Sequence, residues 1–117
     1  MNCLDVTCLK ALVGDDPATV SALLETYLRS LEGSATSLCT GMCEKDAAKV
    51  HAAAHRIKSP SLSVGAIPLG ELCESLERAA RDASWDRMVS LYAGFAQAVE
   101  RVQRAALAHI AMAEAER

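Results

Sequence analysis

The sequence predicts an all-α fold, an antiparallel up-and-down four-helix bundle with a short additional helix at its N-terminus. Alanine and leucine dominate a chain that is 51% hydrophobic and only 3% aromatic, a mix that favours helices over sheet. Apolar residues recur at helical spacing in four long segments joined by short turns, and helices joined in this way pack antiparallel. The 117 residues suffice for one domain, 1–117, with its own core.

The short first helix is predicted from its boundary residues. We expect it to begin near Asp5 and to end at Leu12 or Val13, because Gly14 stands just past the apolar residues. It would lie over the bundle as a lid.

The second helix is expected to begin with Asp16 as its N-cap and Pro17 in its first turn. We prefer one long, bent helix that continues to about Cys43, with a break at Gly33 as the alternative. Its apolar stripe consists of Val20, Leu23, Leu24, Tyr27, Leu28, Leu31, Leu38 and Met42.

The third helix follows the turn at residues 44–46, where Asp46 can cap it, and it ends at Gly65. Pro60 lies inside it, and a proline removes a backbone donor and clashes with the carbonyl four residues back. We therefore expect the helix to be kinked or loosened one turn after His55.

The remaining sequence predicts two more helices. Pro68 begins one that carries Leu69, Leu72, Cys73, Leu76 and Ala80 inward. Ser84 would cap the last helix, which we expect to extend unbroken from Trp85 to about Glu114. Its inward stripe consists of Met88, Leu91, Tyr92, Phe95, Val99, Val102, Ala106 and Ile110.

A helical wheel separates a buried face and a histidine face on the third helix. At about 100° per residue, His55 lies roughly 160° from Ile57. The residues within about 60° of Ile57 are Val50, Ala53, Ala54, Ser61 and Val64. The residues that flank His55 are His51, Leu62, Ala48, Ala52 and Ser59, with Lys58 one turn further along. Small and apolar neighbours around an exposed histidine favour a surface that another protein approaches, although an alanine-rich surface helix with an incidental histidine fits the pattern as well.

The order of residues around this histidine resembles a known family. The residues concerned are Ala54-His55-Arg56-Ile57-Lys58-Ser59, Ser61, Val64-Gly65-Ala66, Leu69, Leu72-Cys73 and Leu76-Glu77. With the segments 9–12, 14–17 and 23–28 upstream and the turn before Trp85 downstream, they resemble histidine-containing phosphotransfer (HPt) domains over nearly the whole chain. The chain departs from the family at Ser59, where a glycine is usual, and at Pro60 after it.

The resemblance implies a phosphorelay intermediate that is not an enzyme on its own. His55 would be the phospho-acceptor, Lys58 would offset phosphoryl charge, and Arg56 would assist from the flank. The surface that binds the partner would consist of Ala48, His51, Ala52, Ser59, Leu62 and Gly65. The implied partner is the receiver domain of a response regulator or of a hybrid sensor histidine kinase.

Phosphoryl transfer also needs a divalent metal ion, and the sequence has no carboxylate cluster or glycine-rich phosphate loop to supply its site. We therefore expect no cofactor of its own, with Mg²⁺ supplied by the partner receiver. A net charge of −3 with scattered signs argues against nucleic acid, and no apolar run is long enough for a membrane span. We expect a cytoplasmic monomer.

Two alternatives stay open. One is an adaptor of the same fold that binds a receiver or sensor kinase without relaying phosphate. The other is a small helical metal or redox protein that uses Cys39, Cys43 and a histidine. The five cysteines are Cys3, Cys8, Cys39, Cys43 and Cys73. They form no C-x-x-C pair, so we expect free thiols, small buried side chains and no metal site.

The other polar and aromatic candidates have simpler explanations. We expect His51 to be a neighbour of the reactive histidine that can tune it, although it could be the reactive residue itself. His109 is predicted at the surface, and Trp85 and Phe95 in the core. Glu74 and Glu77 are predicted on a solvated face.

Overall fold

The structure is a computed structural model that describes residues 4–115, and all regular structure in that range is helical. The helices are α1 (Val6–Val13), α2 (Pro17–Cys43), α3 (Ala47–Ser63), α4 (Ile67–Arg81), α5 (Trp85–Tyr92) and α6 (Phe95–Ala115). The all-α prediction is confirmed, whereas the up-and-down order of the bundle stays a prediction. Cys3 lies outside the described residues.

Three aspartates begin the first three helices, as predicted. The side chains of Asp5, Asp16 and Asp46 each accept a hydrogen bond from a backbone N–H two or three residues later. Each bond satisfies one of the donors that a helix leaves unpaired at its N-terminus. Local sequence alone therefore determines where these helices begin.

Helix α2 is a single helix of 27 residues that passes through Gly33 without interruption. Its predicted apolar stripe is buried or half-buried except at Leu23, which is 37% exposed. The placement of Leu23 in the core was wrong, because the face that packs is narrower than the apolar stripe.

The C-terminal helix is broken, contrary to the prediction of one helix from Trp85 to Glu114. Helix α5 ends at Tyr92 and α6 begins at Phe95, so that Ala93 and Gly94 form the junction. Glycine is a poor helix former, and the break lets α5 pack mainly against α4 while α6 packs mainly against α2. Ser84 precedes α5 as predicted, but its side chain makes no capping hydrogen bond.

Helix α3 lies between α2 and α4 and packs closely against both. Two glycines on the neighbouring helices make this possible. A Cβ at Gly41 would lie 2.9 Å from the backbone nitrogen of Val50, and one at Gly70 would lie 2.5 Å from a methyl group of Leu62. These contacts hold α3 on two sides and leave its third side open.

The turn between α3 and α4 attaches the N-terminal segment. Gly65 has a φ of +87°, and its carbonyl accepts a 2.8 Å hydrogen bond from the backbone N–H of Asp5. A Cβ at Gly65 would lie 1.8 Å from the Asp5 carbonyl oxygen, so the close approach requires glycine. Among residues 4–115, no helix has the length and apolar character that a membrane span requires.

Candidate functional site

The two faces predicted for α3 are confirmed. All six residues predicted on the buried face are 6% exposed or less, and they are Val50, Ala53, Ala54, Ile57, Ser61 and Val64. The side chain of His55 is 64% exposed on the opposite face. The histidine is therefore held on a helix whose position is determined by packing on its other side.

Pro60 does not end this helix. Helix α3 continues to Ser63, and the carbonyl of Pro60 accepts a 3.1 Å hydrogen bond from the backbone N–H of Val64. The loss of the proline donor is thus tolerated within the last turn, and a kink at this position stays a prediction.

Glu77 of α4 is the centre of the site, and its predicted position on a solvated face was wrong. It is 5% exposed, and its Oε1 lies 3.1 Å from Nδ1 of His55. The ammonium of Lys58 lies 3.3 Å from Oε1 and 3.4 Å from Oε2. Cys73, four residues earlier on the same helix face, is fully buried, and this spacing is the signal that could have placed Glu77 inward. The proximity of Glu77 to His55 follows only from the packing of α3 on α4.

The charge state of Glu77 determines the tautomer of His55. Burial alone would raise the pKa of this carboxyl, but the hydrogen bonds from Lys58 and His55 outweigh it, and the pKa lies below its ordinary value. The carboxylate is therefore ionised at neutral pH and can only accept hydrogen bonds. Nδ1 of His55 must donate in this contact, which leaves the lone pair of a neutral ring on Nε2.

The two cations near His55 differ in their surroundings. Lys58 is half-buried and paired with Glu77, so its charge lies beside the histidine but is partly neutralised. Arg56 is exposed and has no ion-pair or hydrogen-bond partner among residues 4–115. It lines a groove of about 300 Å³ between α2 and α3 together with Ala52 and Lys49.

The residues predicted to bind a partner are only partly exposed. Ala48, Ala52 and Ser59 are exposed, while His51 and Leu62 are half-buried. Gly65 is buried against the backbone of Asp5, so its inclusion in the partner surface was wrong. Its conformation serves the turn that attaches α1.

The four described cysteines are free thiols in different environments. Burial, and then the charge of Glu77, raise the pKa of the Cys73 thiol to about 12, so it stays protonated. Cys39 and Cys43 are exposed, contrary to the expectation of buried side chains. Residues 4–115 contain no group of three histidine, cysteine or carboxylate side chains that could hold a metal ion, so the alternative metal protein lacks a third ligand in that range.

The remaining candidates lie as follows. Phe95 is buried as predicted, and Trp85 is half-buried against the core. His109 is half-buried rather than at the surface. The structure shows no contact between His55 and any of these three side chains.

Comparison with known proteins shows the family of this chain. The family model of the Hpt domain matches residues 22–105, which include His55, Lys58 and Glu77. The chain belongs to the Hpt family. Hpt domains are phosphocarriers rather than enzymes, and they interact with receiver domains of two-component proteins.

A solved structure supports the same assignment for this Hpt domain. The crystal structure of histidine-containing phosphotransfer protein B (HptB) from Pseudomonas aeruginosa PAO1 matches with a TM-score of 0.72 and 25% sequence identity. The match covers 97% of this chain and 93% of that one. A comparison with curated proteins found no match.

Proposed function

We propose that this Hpt domain is a phosphorelay intermediate in which Nε2 of His55 accepts a phosphoryl group from a receiver aspartate and passes it to another receiver. One observation carries the proposal. The imidazole of His55 is exposed while its Nδ1 is held by a buried carboxylate, which directs the nucleophilic nitrogen toward a partner.

The proposed step balances in atoms and charge. The lone pair on Nε2 attacks phosphorus, the N–P bond forms, the bond from phosphorus to the aspartyl oxygen breaks, and the receiver carboxylate leaves. The ring keeps its proton on Nδ1 and becomes positively charged. Glu77, 3.1 Å from Nδ1, compensates that charge as it develops.

The neighbouring cations have distinct proposed roles. Lys58 holds Glu77 and lies one turn from His55, so it offsets charge on the phosphoryl oxygens. Arg56 lies toward α2, and its unpaired guanidinium is available to an acidic group of the receiver. We assign the Mg²⁺ to the receiver, because residues 4–115 offer no carboxylate cluster for it.

The proposed docking surface consists of Ala48, Ala52 and Ser59, with Leu62 and His51 at its edges. The short exposed side chains of Ala48, Ala52 and Ser59 let a receiver approach the α3 backbone closely. Ser59 is small enough to preserve this approach where a glycine is usual.

The test is transfer from a phosphorylated receiver. The protein is incubated with such a receiver and Mg²⁺, and acid-labile, alkali-stable label is measured. We expect label on the wild type and on His109→Gln, the matched control, and none on His55→Gln. Label that persists on His55→Gln, or its absence from the wild type with every receiver, would contradict the assignment. Stable receiver binding without label would support the adaptor alternative.

A further inference from the structure

His51 and His55 lie one turn apart on the open face of α3 and form a pair of imidazoles. Their ring planes are within 4° of parallel, and the ring centroids are 6.4 Å apart. His55 is exposed and His51 half-buried. Neither ring is needed for the core, so both can present a nitrogen to a ligand in solution.

Two histidines four residues apart on a helix can bind one metal ion, because their Cβ atoms are about 5–6 Å apart on the same face. We propose that His51 and His55 together form a binding site for a divalent first-row transition metal ion such as Ni²⁺, Cu²⁺ or Zn²⁺. Binding of this ion would be a property separate from the proposed phosphoryl transfer.

Glu77 holds His55, one of the two proposed metal ligands, in a suitable orientation and tautomer. A histidine that binds a metal through one nitrogen usually donates its other N–H to a carboxylate, which fixes the ring and makes the ligand more basic. Nδ1 of His55 makes this contact with Glu77 at 3.1 Å, which leaves Nε2 for the metal. Among residues 4–115, no carboxylate or carbonyl anchors His51 in this way, so its ring can turn from the parallel arrangement toward a shared ion.

The composition of the site determines which ions it takes. The helix supplies two nitrogens, and water completes the coordination, because no third protein ligand is available among residues 4–115. Imidazole suits Cu²⁺, Ni²⁺ and Zn²⁺, whereas Mg²⁺ prefers oxygen ligands. The site is therefore one for an exchangeable transition metal ion and does not compete for Mg²⁺.

The test uses Ni²⁺ and the Cys39→Ser/Cys43→Ser protein, because the exposed thiols of α2 would also bind metal ions. Ni²⁺ affinity is measured by calorimetry, and the position of the paramagnetic ion by broadening of the imidazole proton resonances. We expect His51 and His55 to broaden together and before His109.

Variants separate a two-histidine site from a single ligand. His51→Gln and His55→Gln should each lower Ni²⁺ affinity by about tenfold to a hundredfold, because either loss removes the chelate. Glu77→Gln should lower it by about 10–100-fold, and His109→Gln should leave it unchanged. Unchanged affinity in His51→Gln, or broadening of His55 alone, would overturn the proposal, and circular dichroism checks that each variant keeps its helices.

Metal binding at His55 would also affect phosphoryl transfer, a statement that rests on the proposed function. Metal and phosphoryl group would both occupy Nε2 of His55, so the two would exclude each other. The Ni²⁺ titration uses no receiver, and its failure would therefore leave the phosphoryl transfer untouched.

Discussion

Replacing Glu77 by glutamine tests the centre of the site with little change in size. The carboxylate accepts from both Nδ1 of His55 and the ammonium of Lys58. A glutamine has one oxygen, so an orientation that serves His55 turns the amide N–H groups toward Lys58, which also only donates. The opposite orientation places an N–H donor against Nδ1 and favours the tautomer without a lone pair on Nε2.

The structure allows the effect to be estimated. Charge-assisted hydrogen bonds contribute about 1.5–3 kcal/mol and neutral ones about 1 kcal/mol, so we expect Glu77→Gln to lower the free energy of unfolding by about 1–2 kcal/mol. We expect a loss in the lower part of the range of about 1–2 kcal/mol, because the side chain of Lys58 is 24% exposed and its ammonium can regain water contacts. The rate of phosphoryl transfer should fall by about 10–100-fold, since the charge that compensates the imidazolium is lost.

The assay is single-turnover transfer from a phosphorylated receiver, combined with urea denaturation and ¹⁵N NMR of the imidazole. Glu74→Gln is the matched control, because Glu74 is exposed on the same helix and should change neither quantity. A Glu77→Gln protein that transfers phosphate within about twofold of the wild-type rate, with an unchanged His55 tautomer, would refute the reasoning.

Further outcomes are expected from urea denaturation of variants and at different pH. Gly65→Ala should lower the free energy of unfolding by about 1–3 kcal/mol because of the positive φ, and by more because of the clash with the Asp5 backbone. Gly33→Ala, at an open helical position, should instead raise it by about 0.5–1 kcal/mol. Tyr27→Phe should cost about 1–3 kcal/mol because its 2.7 Å bond to the buried Ser61 hydroxyl is lost, and Ser61→Ala in the same chain should recover part of this. Burial raises the pKa of Tyr27 to about 12, so its contribution to stability is complete below the ordinary tyrosine pKa and is lost as the pH rises toward 12. The pKa of Glu77 is lowered, so its contribution to the free energy of unfolding is present above the ordinary glutamate pKa and is lost as the pH falls through the lower folded value. In Glu77→Gln, the free energy of unfolding should therefore fall less steeply at acid pH.

The wrong predictions for Leu23, the last helix and Glu77 share one cause. Leu23 has the right spacing for the core, Trp85 to Glu114 has an unbroken apolar repeat, and Glu77 has the charge of a surface residue. Each expectation used the pattern of a single helix. The neighbouring helices leave Leu23 uncovered and supply partners for the buried charge of Glu77. The last helix is interrupted at Ala93 and Gly94, which lets its two parts pack mainly against different helices.

By itself the sequence determined the all-α class, the helix starts at three aspartates and the two faces of α3, whereas the structure decided that α2 passes through Gly33 unbroken. The first three depend on contacts within about one helical turn, which the order of residues specifies directly. Only the tertiary structure decided that Glu77 joins His55 and Lys58, because residues 22 and 19 positions apart meet only when α4 packs on α3. The sequence thus identified the histidine and its exposure, and the packing decided which of its nitrogens is free.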